Sequence, residues 1–230
     1  MTSMALRRLE PSSRMGDQVF EAIHSAILSG ELSAGHRLRI RELADELGTS
    51  VMPVREAIRR LENIGLVDAV PRKGAVVKSF TSEELLHIYA VRRLLEVEAA
   101  TWGASKVSSH GLARLEAEYH GMEQAVSDRR VIDYLDHDEE FLGVVYEAAD
   151  NPVLLETIRT LWHRCRSYKI VGAQRALDSG QPEHLLTYQK GLLDALTAGD
   201  PQAAATITGE SLDVATHRIR EALPDSSTEH

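Results

Sequence analysis

Between Leu43 and Ile64 the apolar positions repeat at helical spacing with one break. Leu43, Ala44 and Leu47 mark a short helix, which Gly48 ends, leaving Thr49 and Ser50 in a turn. Val54, Ala57, Ile58, Leu61 and Ile64 then follow i, i+3, i+4, i+7 spacing, which predicts a second helix with a buried stripe. Ser50 stands where an N-cap hydroxyl would accept a free backbone N–H. Pro53 falls in the first turn, where its missing N–H costs little. At about 100° per residue, Met52, Arg55 and Arg59 lie roughly opposite the stripe. Two helices joined by a tight turn, the second carrying arginines outward, predict a helix-turn-helix. Two β-prone runs follow, Leu66-Val67-Asp68-Ala69-Val70 and Ala75-Val76-Val77, joined at Pro71-Arg72-Lys73-Gly74. They predict a hairpin wing with a basic tip, Arg72 and Lys73, where Gly74 lets the backbone approach a phosphate.

Beyond Val77 the strand pattern stops. Thr81-Ser82-Glu83-Glu84 reads as a capping box that opens a helix running to about Lys106. Further helices are expected near 109–127, 130–149, 152–170, 183–198 and 201–222, with Asn151-Pro152 and Gly199-Asp200-Pro201 as punctuation. The expected fold class is mainly α, a winged helix-turn-helix with a small β-hairpin followed by an all-α bundle. The expected domains are a loose arm at 1–14, the winged head at 15–78, a helical effector-binding and dimerisation domain at 79–223, and a tail at 224–230.

Four predicted seams of the bundle are each interrupted by a polar residue. Arg92 interrupts Leu85, Ile88, Leu95, Ala99 and Trp102, and Asp138 interrupts Leu135, Leu142, Val145 and Ala149. Gln189 lies among Leu185, Leu192 and Leu196, and Ser211 among Ala204, Ile207 and Val214. An inward polar group without a partner costs roughly 1–3 kcal/mol, so these side chains should meet each other, water or a ligand. Two arrangements are open: an Arg92–Asp138 ion pair that closes the core, or a pocket.

The run ELADELGTSVMPVREAIRRLENIGLV followed by PRKGAVV resembles the winged head of GntR-type bacterial transcription regulators. QVFEAIHSAILSGELSAGHRL resembles the first helix and glycine-bounded connection of that family, here Gly30 to Gly35. The resemblance implies DNA contacts at Arg41, Ser50, Arg55 and Gly74. The family usually has arginine and threonine where this chain has Val51 and Met52, and that arginine commonly reads a guanine. Here base readout passes to other groups, or to apolar contact with a thymine methyl.

Charge divides along the same line. Residues 1–80 hold 12 Lys/Arg against 10 Asp/Glu, and residues 81–230 hold 14 against 25, within a total of −9. DNA phosphates would repel the acidic part, so the head is the part suited to nucleic acid. Cys165 is the sole cysteine, which excludes an intrachain disulfide and argues against a zinc finger; a packed thiol is expected. With no apolar run of membrane length and no signal-peptide pattern, a cytoplasmic protein without a membrane partner is expected. No nucleophile–base set, phosphate-binding glycine loop or metal-activated water is recognisable, so no enzyme activity is expected.

The helical half resembles the ligand-sensing domain of the FadR branch of GntR regulators, on Arg92-Arg93-Leu94-Leu95-Glu96, Asp138 with Phe141, Asn151-Pro152, and Leu193-Asp194-Ala195-Leu196 with Gly199-Asp200. Many members of that branch bind a divalent metal through one Asp and three His. The resemblance places the Asp at Asp138 and the His positions at Leu142, Gln189 and Ser211, a set that cannot build a tight transition-metal site. His137, His184 and His217 are offset from those seams and expected at the surface. No metal and no cofactor are therefore expected. The expected function is a homodimeric regulator on a pseudo-palindromic double-stranded operator. Its effector is expected to be a small organic anion beside Arg92, with Asp138, Leu142, Tyr188, Gln189 and Ser211 around it, competing with Asp138 for the guanidinium. The alternatives are a metal-responsive member of the same family and a regulator with a closed, effector-free helical domain.

Overall fold

The computed structural model describes residues 13–70, 73–180 and 182–221. It divides into two compact units between Ser79 and Phe80. The first contains α1 (Ser13–Leu28), β1 (Arg37–Leu38), α2 (Ile40–Glu46), α3 (Val51–Asn63), β2 (Val67–Val70) and β3 (Gly74–Val77). Its core joins Val19, Ile23 and Ile27 of α1 to Val54, Ala57, Ile58 and Leu61 of α3, the stripe that the spacing predicts. Ser50 takes the extended backbone of an N-cap, yet its hydroxyl makes no capping bond. The cap position was legible and the bond was not.

The wing is a three-stranded antiparallel sheet in the order β1-β3-β2, with Arg37 opposite Val76 and Val70 opposite Gly74. The expected hairpin thus gains a third strand, β1. That strand also supplies a physical reason for Gly74. Its φ is +106°, and a Cβ there would stand 2.0 Å from the Leu38 carbonyl oxygen. Close packing of β1 on β3 therefore requires glycine at this point, apart from any phosphate. Pro71 and Arg72 lie outside the described residues, as do the expected tail and the expected arm except Ser13 and Arg14, which begin α1.

The second unit is helical: α4 (Ser82–Ala104), α5 (Ser109–Ser127), α6 (Val131–Glu147), α7 (Pro152–Asp178), α8 (Thr187–Ala198) and α9 (Pro201–Glu221), with a 3-10 turn at Pro182–Leu185 before α8. Thr81 and Glu84 form the reciprocal capping box at the start of α4. Asn151 caps α7 through Leu154 N–H, and Gly199 takes the left-handed conformation that ends α8. α7 runs eight residues past its expected end, because Ala173 and Leu177 continue its buried face. Trp102, expected inside the α4 seam, is 45% exposed, and Leu95 is only half-buried. The inner face of α4 is instead made by Tyr89, Arg92, Glu96, Ala99, Ala100 and Gly103.

Gly103 sets the closest approach of α4 to α6, since a Cβ on it would lie 2.1 Å from the Val145 carbonyl oxygen. Gly103→Ala should push the two helices apart and destabilise the protein by about 1–3 kcal/mol, the usual cost of overpacking. Thermal denaturation of the full chain checks this; an unchanged melting temperature would show that the crossing relaxes freely.

Candidate functional site

The basic face of the first unit is built around α3. Arg55 and Arg59 are exposed, and Val51 and Met52 at the helix start are 42% and 70% exposed. A groove beside α3 is lined by Arg55, Arg59 and Val51, by Arg37, Arg39 and Arg41, and by Val70, Lys73 and Gly74 of the wing. Ser50 and Met52 lie outside that lining, near the free N–H groups of the first turn. The arginines differ in commitment. Arg60 bonds Asp17 at 2.6 Å and lies 4.0 Å over the Phe20 ring, fastening α1 to α3. Arg39 bonds Glu42 at 2.7 Å, an exposed pair worth little in water. Arg37, Arg41, Arg55, Arg59 and Lys73 have no carboxylate partner among the described residues. Sequence reasoning missed Arg37 and Arg39. The available signal was compositional: three arginines, Arg37, Arg39 and Arg41, lie within five residues just before and at the start of α2.

In the second unit, helices α4, α6, α7, α8 and α9 enclose a cavity of about 190 Å³. Arg92, Asp138, Leu142, Tyr188, Gln189 and Ser211 all line it. The sequence pattern did not reveal Glu96, Tyr134, Tyr146, Lys169, Thr208 and Arg218, which line it as well.

The polar partners differ from those expected. Arg92 does not pair with Asp138. Its Nε donates to Glu96 at 2.6 Å, its Nη2 donates to the same carboxylate at 3.4 Å, and its Nη1 donates to Cys165 Sγ at 3.4 Å. Trp162 Nε1 and the Tyr146 hydroxyl also donate to Glu96, at 3.1 and 3.2 Å. The physical reason is helix geometry: Arg92 and Glu96 are one turn apart on one face, so a partner was already in reach. Burial is the largest single effect and lowers the pKa of Arg92, but Glu96, Cys165 and Tyr89 together outweigh it and hold the guanidinium well above its ordinary value. Cys165 is fully buried, the packed thiol expected.

Asp138 belongs to a second node. It accepts from Lys169 Nζ at 2.9 Å and from Gln189 Nε2 at 2.7 Å. Burial opposes the charge on Lys169, but Asp138 and Glu139 outweigh it and raise its pKa. The donor set does not suit a divalent metal. Asp138 is taken by an ammonium and an amide, Leu142 offers no ligand, and among the described residues no three His, Cys, Asp or Glu side chains gather. His217 is exposed, and His184 is exposed yet lines the cavity; His137 is half-buried against Glu118 at 2.7 Å, so it is not simply a surface side chain.

Among the described residues, Thr208, Ser211 and Arg218 of α9 line the cavity without a side-chain hydrogen bond or ion pair. Thr208 is 5% exposed, and its hydroxyl has no hydrogen-bond partner among the described residues. Arg218 lines the cavity, is exposed, and forms no ion pair among the described residues. Among the described residues no helix is long and apolar enough to cross a membrane.

Comparison with known proteins agrees with both units. Residues 15–77 match the family described as bacterial regulatory proteins, gntR family, and residues 87–214 match the FCD domain. A relative from Paenarthrobacter nicotinovorans, named "Probable D-xylose utilization operon transcriptional repressor", is 29% identical over 226 residues, covering 97% of this chain and 92% of the relative. A solved GntR transcriptional regulator from Rhodococcus sp. RHA1 has the same fold, with a TM-score of 0.80 and 23% identity over 93% of this chain and all of that one. Another, E. coli McbR/YncC, has a TM-score of 0.77 and 24% identity over 90% of this chain and 97% of its own.

The Arg92–Glu96 node makes a direct prediction. Glu96→Gln keeps the shape but leaves a buried guanidinium without its counter-charge, which should cost about 3–5 kcal/mol. Urea denaturation of the full chain measures it, and a midpoint equal to that of the parent protein would show that the pair holds nothing together.

Proposed function

This chain belongs to the GntR family of bacterial regulatory proteins and is a DNA-binding transcription regulator of the FadR type with an FCD domain; from that premise, we propose that it works as a homodimer on a pseudo-palindromic operator under the control of a small organic anion in its helical cavity. The observation that carries the DNA reading is the set of basic side chains without carboxylate partners, Arg37, Arg41, Arg55, Arg59 and Lys73, gathered along one groove beside α3. Phosphate neutralisation by such groups supplies affinity, and α3 in the major groove supplies readout. Arg55 is the proposed base or phosphate contact, Ser50 and Gly74 approach the backbone of the operator, and Val51 and Met52 offer apolar contact to thymine methyls.

The effector acts by binding one arrangement of the dimer better than another, since equal affinity would shift nothing. A cavity of about 190 Å³ favours this reading over a closed helical domain. The proposed effector is a small metabolite held between these helices. Dimerisation is proposed through the outer face of α4. Val91, Leu94 and Trp102 are 44%, 68% and 45% exposed and fall within an arc of about 80° on the helix.

Two measurements test these statements. Arg55→Ala should weaken operator binding by about 1–3 kcal/mol while leaving the melting temperature in place. Operator fragments selected from genomic DNA and titrated against both proteins provide the comparison; equal affinity would remove Arg55 from the interface. Light scattering of the full chain should give a dimer, and Leu94→Asp should shift it to monomer. A monomeric parent protein would overturn the two-fold operator reading.

A further inference from the structure

Thr208, Ser211 and Arg218 recur at helical spacing and line the cavity, with the small Ala215 between the last two, so α9 presents one edge with three polar side chains to it. That edge differs from the rest of the wall. Arg92 is bonded to Glu96, and Lys169 and Gln189 are bonded to Asp138, so their charges are balanced within the protein. Among the lining residues, Arg218 is the arginine or lysine without a carboxylate partner in the described structure.

Thr208 is unusual among the threonines of this unit. Thr101, Thr157, Thr160, Thr197, Thr206 and Thr216 each donate a hydroxyl to the carbonyl one turn earlier. Thr208 does not, and its buried oxygen has no partner among the described residues. A buried hydroxyl left unmatched at a cavity wall is a group that a ligand can complete. The two ends of the edge are ten residues apart, about 15 Å along the helix axis. Side chains tilt toward the N-terminus of their helix, and the arginine stem is long, so the gap left for a ligand is well short of that span.

We infer that Arg218 and Thr208, with Ser211 between them, form the effector-recognition edge of the cavity, and that the ligand is a small carboxylate carrying a hydroxyl group. The carboxylate meets the exposed Arg218, whose guanidinium fork matches it. The ligand hydroxyl completes Thr208 and Ser211 deeper inside. Arg92 is then a structural residue of the cavity floor and not the anion anchor. This rests on the reading of the cavity as an effector site.

The test uses the full-length protein and three matched probe sets. Glycerate and erythronate carry both groups, glycerol and erythritol lack the charge, and propionate and butyrate lack the hydroxyls. Calorimetric titration should show one or both hydroxy acids binding at least ten-fold more tightly than their controls. Arg218→Gln should lose ten-fold or more of that affinity, and Arg218→Lys should recover part of it. Thr208→Val should lose several-fold for the hydroxy acids and nothing for propionate or butyrate. Its unliganded melting temperature should equal or exceed that of the parent, because a hydroxyl without a partner is removed; a lower one would mean that the hydroxyl has a structural bond. Hydroxy-acid binding unchanged in Arg218→Gln would overturn the anchor while leaving the effector site standing. Binding by none of the six probes, with operator affinity intact, would overturn the ligand class. If a screen of other metabolites then raised no melting temperature, the effector reading itself would fall too.

Discussion

The helical unit depends on a buried salt bridge between two residues of the same helix. Arg92 and Glu96 are 4% and 1% exposed, and an isolated charge at either place would cost several kcal/mol. The pair persists because its hydrogen-bonding directions are used. Glu96 accepts from Arg92, Trp162 and Tyr146, and the remaining arm of Arg92 meets Cys165. Those partners come from α6 and α7, so one pair on α4 fixes the rotation of three helices. A hydrophobic pair of equal volume could pack as tightly, but it would not specify which residues face one another.

The same arrangement shapes the cavity next to it. With Arg92 held by Glu96, Asp138 has no arginine to pair with and takes Lys169 and Gln189 instead, on α7 and α8. Each cation in the floor is matched to an anion, which leaves the wall polar but close to neutral. The unbalanced charge sits at the exposed end of α9. A ligand that took Arg92 would have to break a buried, fully bonded pair, whereas one that met the exposed Arg218 would displace only water. Magnitudes separate these routes: breaking a buried pair costs about 3–5 kcal/mol, and an exposed guanidinium releases its solvent at far lower cost.

Much of this architecture was legible in the sequence. Helix starts were clearest where chemistry is local: the capping box at Thr81 and Glu84, Asn151 before Pro152, and Gly199 closing α8 each act within four residues. The apolar stripe of α3 was legible for the same reason. Partnerships were not. Spacing shows that Arg92 points inward, but not that Glu96 captures it, because residues one turn apart on the seam compete with residues brought in by the fold. Trp102 was misplaced because a seam of 3 and 4 spacing drifts around a long helix, and α4 has apolar residues on two faces. β1 was not expected as a strand because the alternation around it runs straight into α2 at Ile40, and its two residues pair only with a strand distant in sequence. Lys169 and Thr208 were invisible because their roles depend on what α7 and α9 meet in space.

The proposed DNA-reading face extends the argument from charge to specificity. A guanidinium neutralises phosphate on any sequence, so the basic groove by itself explains affinity and not selection. At the start of α3, where side chains would reach base edges, this chain has the exposed apolar residues Val51 and Met52. Apolar side chains distinguish bases chiefly by contact with the thymine methyl group. On this reading Arg55 carries the polar part of recognition almost alone, and the remaining selectivity falls to the shape and deformability of the operator. Neighbouring arginines such as Arg59 and Arg41, on α3 and α2, then set register along the phosphates, which lets a few base contacts suffice.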